Sequence, residues 1–116
     1  MQKEQYLELK YFCLQYKRKK AEANTSTAKG RRALIDITLI EQIAEYVYPE
    51  VADYIVESVT TGKSWEQLNV PCGRRQFYNA RNRFFNLLSK MKFVNKICKE
   101  IVRISKRGHS GHQHLF

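Results

Sequence analysis

Residues 62–88, GKSWEQLNVPCGRRQFYNARNRFFNLL, gather the side chains best suited to chemistry in this chain. Gly62-Lys63-Ser64 matches the end of a phosphate-binding loop. That loop, G-x-x-x-x-G-K, needs a second glycine upstream so that backbone amides can cradle phosphates. The matching position is Glu57, a carboxylate within a stretch of helical periodicity, and this excludes a nucleotide site. From Arg74 onward arginine, asparagine and aromatic residues alternate. At 100° per residue, Phe77, Ala80, Phe84, Leu88 and Met91 share one face, which predicts a buried stripe. Arg75, Asn79, Asn82, Arg83, Asn86 and Lys90 fall opposite. Arginine and asparagine make the bidentate pairs with guanine and adenine edges in a major groove. Arg75, Asn79, Asn82, Arg83 and Asn86 are therefore the candidate base-reading residues. Lys63, Arg74 and Lys90, with Lys96, Lys99 and Arg103 further along, are the candidate phosphate contacts, which position a domain without specifying sequence. A merely solvated amphipathic helix competes with this reading. Three asparagines within one helix count against it, because asparagine is a poor helix former.

Other chemistry has little support. No carboxylate pair has a cleft-like pattern, and no serine or cysteine has a predictable base nearby, so the expectation is a non-enzyme. Cys13, Cys72 and Cys98 stand far apart, against a disulfide framework or a zinc site. His109, His112 and His114 fall in a Gly/Ser-containing tail without a neighbouring cysteine. Neither a metal nor a cofactor is expected.

The elements that must position these residues are helical almost throughout, and the predicted class is all-α with five or six helices. A first helix is expected over 3–22, with Leu9, Phe12, Cys13 and Tyr16 on one face. It ends in the basic run Lys17-Arg18-Lys19-Lys20, a solvated turn or a binding patch. ANTSTAKGRRA, residues 23–33, reads as a linker. Thr38 and Glu41 have capping-box spacing and predict a helix over 38–47 burying Ile40, Ile43, Ala44 and Val47. Pro49 opens a third helix over 49–60, burying Ala52, Ile55, Val56 and Val59 and stopping at Gly62. Ser64 and Gln67 cap a short helix over 64–68 that turns Trp65 and Leu68 inward. After the turn at 69–73 a long helix runs from Arg74 to about Lys92, giving a helix-turn-helix over 64–92. Pro71 and Cys72 lengthen its turn relative to the commonest form.

Periodicity resumes over 94–106. Lys92, Lys96, Lys99, Arg103 and Arg107 share one face, and Val94, Ile97, Cys98, Ile101 and Ile104 the other. That apolar face is rotated from the preceding stripe. Either the helix breaks near 93–95, or one straight helix meets two partners, through a homodimer or by packing on the first helix. Residues 1–107 are read as one domain and 108–116 as a disordered tail.

Charge is unevenly placed over the 116 residues. Residues 1–32 carry nine Lys/Arg against three Asp/Glu, residues 33–70 one against seven, and residues 71–116 eleven against one, for a net charge of +10. The dense basic block favours a polyanion, with double-stranded DNA ahead of an anionic membrane surface. No signal peptide or membrane-spanning run is evident, so a cytoplasmic, nucleoid-associated protein is expected.

Trp65-x-x-Leu68, Pro71-Cys72-Gly73-Arg74, Phe77-Tyr78, Arg81, Arg83-Phe84-Phe85 and Leu87-Leu88 together resemble a pattern in small helix-turn-helix proteins of Firmicute prophages and integrative elements. Tyr11-Phe12-Cys13-Leu14-Gln15-Tyr16 is similar to the start of the same group. The nearest named families are the ArpU and RinA types of phage late-gene transcriptional regulator, whose helix-turn-helix is like sigma-factor region 4. The resemblance implies a phage or mobile-element transcriptional regulator acting on DNA, with host RNA polymerase or another host protein as a further partner. A phage-encoded inhibitor or adaptor of a host nucleoprotein, and a DNA-packaging or replication accessory factor, are the alternatives.

Overall fold

The computed structural model describes the backbone of residues 2–108 and the side chains of residues 2–92. Among these residues it contains six α-helices, one 3-10 turn and no strand: α1 (Lys3–Leu14), α2 (Tyr16–Glu22), α3 (Ala28–Val47), the 3-10 turn Pro49–Val51, α4 (Ala52–Thr61), α5 (Trp65–Leu68) and α6 (Arg74–Gly108). The all-α class is as the periodicity predicts. No described helix is long and apolar enough to cross a membrane.

The expected first helix is two. At Gln15 the backbone opens to φ −84°, ψ 3°, and its N–H bonds back to the Phe12 carbonyl at 3.3 Å. The bend lays α2 along α3, where cation and carboxylate meet. Lys19 pairs with Asp36 at 3.0 Å and Lys20 with Glu41 at 3.8 Å, while the Tyr16 hydroxyl donates to Glu41. Arg18 binds Glu22 within α2 at 2.8 Å. Two of the four cations of the basic run are thus matched to the acidic middle of the chain.

The linker expected over 23–33 shrinks to the short connection after α2, because α3 begins at Ala28 rather than at Thr38. Its cap is Thr27, whose hydroxyl accepts the Gly30 N–H at 3.0 Å. Thr38 lies mid-helix. Gly30 is there for space: a Cβ would stand 2.5 Å from the Thr25 carbonyl oxygen and 2.7 Å from that of Glu22. Once the helix starts early, Ala33 and Ile37 extend the buried stripe of Ile40, Ile43, Ala44 and Val47.

Pro49 opens the 3-10 turn ahead of α4, and α4 stops at Gly62, which takes φ +83° and donates its N–H to the Ser58 carbonyl at 2.9 Å. A left-handed residue here favours glycine, as the sequence predicts. Ile55 and Val59 are buried, Val56 only partly; Ser58, fully buried, satisfies its hydroxyl by donating to the Lys63 carbonyl at 2.8 Å.

Leu9 and Cys13 from α1, Ile40, Ile43, Ala44 and Val47 from α3, Ile55 and Val59 from α4, Val70, and Phe77, Ala80, Phe84, Phe85 and Leu88 from α6 belong to one core. Met91 departs from expectation. It is 37% exposed and lies along α3 rather than under it, lining a shallow apolar groove with Leu39, Ile43, Tyr46 and Leu87. Phe85, absent from the predicted stripe, is buried edge-on against Tyr6 of α1, ring centroids 5.2 Å apart. Beyond it the α6 backbone continues without a break at 93–95 through Gly108. The side chains of Val94, Ile97, Cys98, Ile101 and Ile104, and the tail with its three histidines, lie outside the described residues.

Candidate nucleic-acid interface

The candidate interface begins with a locally determined corner. Ser64 accepts the Gln67 N–H at 3.3 Å, and the Gln67 side chain accepts the Ser64 N–H at 2.8 Å, closing the predicted capping box around α5. Asn69 ends that single turn in the left-handed region at φ 55°. Trp65 then ties both sides of the corner together. Its indole N–H donates to the Cys72 carbonyl at 2.8 Å, and its backbone N–H to the Tyr78 hydroxyl at 3.1 Å. Buried Val70 anchors the connection between these contacts. The start of α6 is therefore fixed by two hydrogen bonds from one residue of α5.

With Phe77, Ala80, Phe84 and Leu88 buried, α6 cannot rotate about its axis, and its opposite face is set. Arg75, Asn79, Asn82 and Asn86 are all exposed there. They follow i, i+4, i+7, i+11 spacing, one continuous row of roughly 16 Å at 1.5 Å per residue. The first carboxylate in the sequence of α6 is Glu100, so the row has no acidic neighbour on its own helix among the described side chains.

The remaining candidates divide. Lys63 and Lys90 are exposed. Arg74 is exposed but pairs with Glu66 of α5 at 3.3 Å. Arg83 is the exception among the base-reading candidates: its guanidinium donates to the Val47 carbonyl at the C-terminus of α3, satisfying a group the helix itself leaves open. The structure thus brings four of the five candidates into one row and turns Arg83 toward α3. Lys96, Lys99 and Arg103 lie on the α6 backbone, with side chains outside the described residues.

Sequence reasoning passed over Tyr46. It is 79% exposed and, with Val47, Arg83, Asn86, Leu87 and Lys90, lines a cleft of about 390 Å³ where the end of α3 meets α6. The signal was available in the periodicity. Ile35, Leu39 and Tyr46 repeat at helical spacing but fall off the buried α3 stripe, marking a second apolar line on the same helix.

Cys13, by contrast, has no place in a reactive site. It is fully buried, and burial pushes its thiol up to about 12, only partly opposed by nearby Lys19, Lys92 and Arg81. Among the described residues no three His, Cys, Asp or Glu side chains are grouped to hold a metal ion. Comparison with protein-family models, with curated proteins and with solved structures gave no match to this chain.

Proposed function

We propose that this chain is a sequence-specific DNA-binding protein that lays α6 in the major groove, with α5 and α6 acting as a helix-turn-helix of extended turn. One observation carries the reading: the exposed row Arg75, Asn79, Asn82 and Asn86 on a helix whose other face is locked into the core. A helix of about 10–12 Å diameter fits a major groove about 12 Å wide, and these are the side chains that pair bidentately with guanine and adenine. Lys63 and Lys90 flank the row and supply phosphate contacts, and Arg74, paired with Glu66, is a third cation held in reserve beside them. The motif resemblance adds the setting, a transcriptional regulator of a phage or mobile element.

The test is selection of bound duplexes from a random pool. Wild-type protein should enrich a shared sequence. Arg75→Ala and Asn79→Ala should each relax one position of it, at a loss of about 1–3 kcal/mol. An unchanged preference in both variants would overturn the groove-reading assignment. If the chain instead purified from its host in a stoichiometric protein complex, enriching no sequence, an inhibitor or adaptor function would replace this one.

A further inference from the structure

The row on α6 leaves the neighbouring cleft unexplained, and the composition of that cleft is specific. Tyr46 stands at its rim, with Val47 and Leu87 giving apolar surface and Asn86, Arg83 and Lys90 around it. No carboxylate lines it. A bare phosphate contact would need only the cations, and an apolar protein side chain would gain nothing from them. An aromatic face, an amide and two cations beside apolar surface together match one nucleotide, with a base to stack, an edge to hydrogen-bond and a phosphate to neutralise. The cleft volume, about 390 Å³, lies at the small end of the range for ligand pockets.

Position adds to the chemistry. Asn86 belongs both to the reading row and to the cleft, so a strand followed along the row arrives at Tyr46. Paired bases are stacked inside the duplex and cannot reach a tyrosine face on α3. We infer that the Tyr46 cleft receives a single unpaired base at the edge of the bound duplex, Tyr46 stacking on it and Lys90 taking its phosphate. This rests on the proposed docking of α6, and it deepens the ligand from plain duplex to duplex with an unstacked nucleotide.

The test uses three probes: single-stranded oligo(dA), a fully paired duplex, and the same duplex carrying a bulged 2-aminopurine, whose fluorescence falls on stacking. Tyr46 is so exposed that Tyr46→Ala leaves the core intact, and Tyr46→Phe keeps the ring. Wild type and Tyr46→Phe should quench the bulged 2-aminopurine. Tyr46→Ala should not, and should bind oligo(dA) and the bulged duplex about tenfold more weakly. Its affinity for the paired duplex should stay within about twofold, below what the loss of a single stacked base would give. Equal losses on paired and bulged duplex would make Tyr46 a backbone contact and overturn the inference, as would no loss on either. Arg75→Ala, run alongside, separates the two ideas. If it weakens duplex binding while Tyr46→Ala is silent, the cleft fails and the groove reading stands. If it and Asn79→Ala are both silent on the duplex while Tyr46→Ala loses the bulged probe, the groove reading fails and the cleft stands.

Discussion

Cys13 shows how burial decides what a potentially reactive side chain does. The thiolate is the nucleophile, and a thiol pushed up to about 12 holds almost none of it near neutral pH. Cys13 should therefore resist iodoacetamide in the native protein and react once denaturant opens the core. Half-buried Cys72 should be modified first. Mass spectrometry after a timed pulse distinguishes the two, and native labelling of Cys13 as fast as in the denatured chain would contradict the packing. The same shift carries a sign for stability. The folded thiol keeps its proton at pH values where the unfolded one, at about 9.0, has lost it. Its contribution is thus full below 9.0 and is lost as pH rises toward 12. Cys13→Ala should flatten the fall in urea stability over that window. Glu66 offers a second residue-level test. Its carboxylate holds Arg74 at 3.3 Å, and both side chains are largely exposed, so the pair adds little stability. Glu66→Gln should leave the urea midpoint unchanged while frame-independent affinity for duplex rises a few-fold, because the freed Arg74 gains a phosphate.

At the scale of elements, the corner that presents α6 and the start of α3 respond to substitution for opposite reasons. Trp65→Phe keeps most of the packed ring but removes the donor to the Cys72 carbonyl, and should lower stability by about 1 kcal/mol in chemical denaturation. Gly30→Ala raises intrinsic helix propensity by about 1 kcal/mol, yet its Cβ would press on two backbone carbonyls within 2.7 Å. The Thr25 carbonyl lies in the α2–α3 connection and that of Glu22 ends α2, so both move only if the join between the two helices moves. A net loss of about 1–2 kcal/mol is expected once overpacking is set against propensity. A rise in midpoint would mean the approach is looser than the structure shows. These two sites also explain what the sequence could disclose. The corner was legible because its signals are local: Gly62 as a stop, Ser64 with Gln67 as a capping box, and Phe77, Phe84 and Leu88 at one period. The start of α3 was not, because Gly30-Arg31-Arg32 reads as loop unless one knows that Gly30 is pressed against Thr25 and Glu22. Nor was the bend at Gln15, where no proline or glycine marks a break and the pairing of α2 with α3 decides it. For the same reason the exposed row could be read from a helical wheel, whereas the turn of Arg83 toward Val47 and the Tyr46 cleft could not. Both depend on which helix lies beside α6.

Across the whole molecule, charge and shape point the same way. α6 packs against α1, α3 and α4, and the row of Arg75, Asn79, Asn82 and Asn86 shares no residue with the acidic groove formed by Glu41, Glu45, Asp53 and Glu57 with Lys17 and Lys20. The helix has 35 residues, roughly 52 Å at 1.5 Å each. That nearly equals the longest extent of the protein, 57 Å against 31 and 26 Å. It runs nearly the length of the protein, and its second half carries Lys96, Lys99 and Arg103, the proposed phosphate track, further along the sequence than the row. The track and the row should be separable by salt. Each neutralised phosphate contributes about −0.9 to the slope of log affinity against log salt on duplex DNA. Replacing Lys96, Lys99 and Arg103 together by glutamine should make the slope shallower by about 2 to 3 and weaken every duplex alike. The sequence preference selected by the wild type should persist. Asn79→Ala should do the reverse, with the slope unchanged and one position of the preference relaxed. Titrations at several salt concentrations, on the selected duplex and on a scrambled one, read both effects at once. A triple variant that lost preference while keeping its slope would place base reading in the second half of α6, and the row at 75–86 would then be only a solvated face.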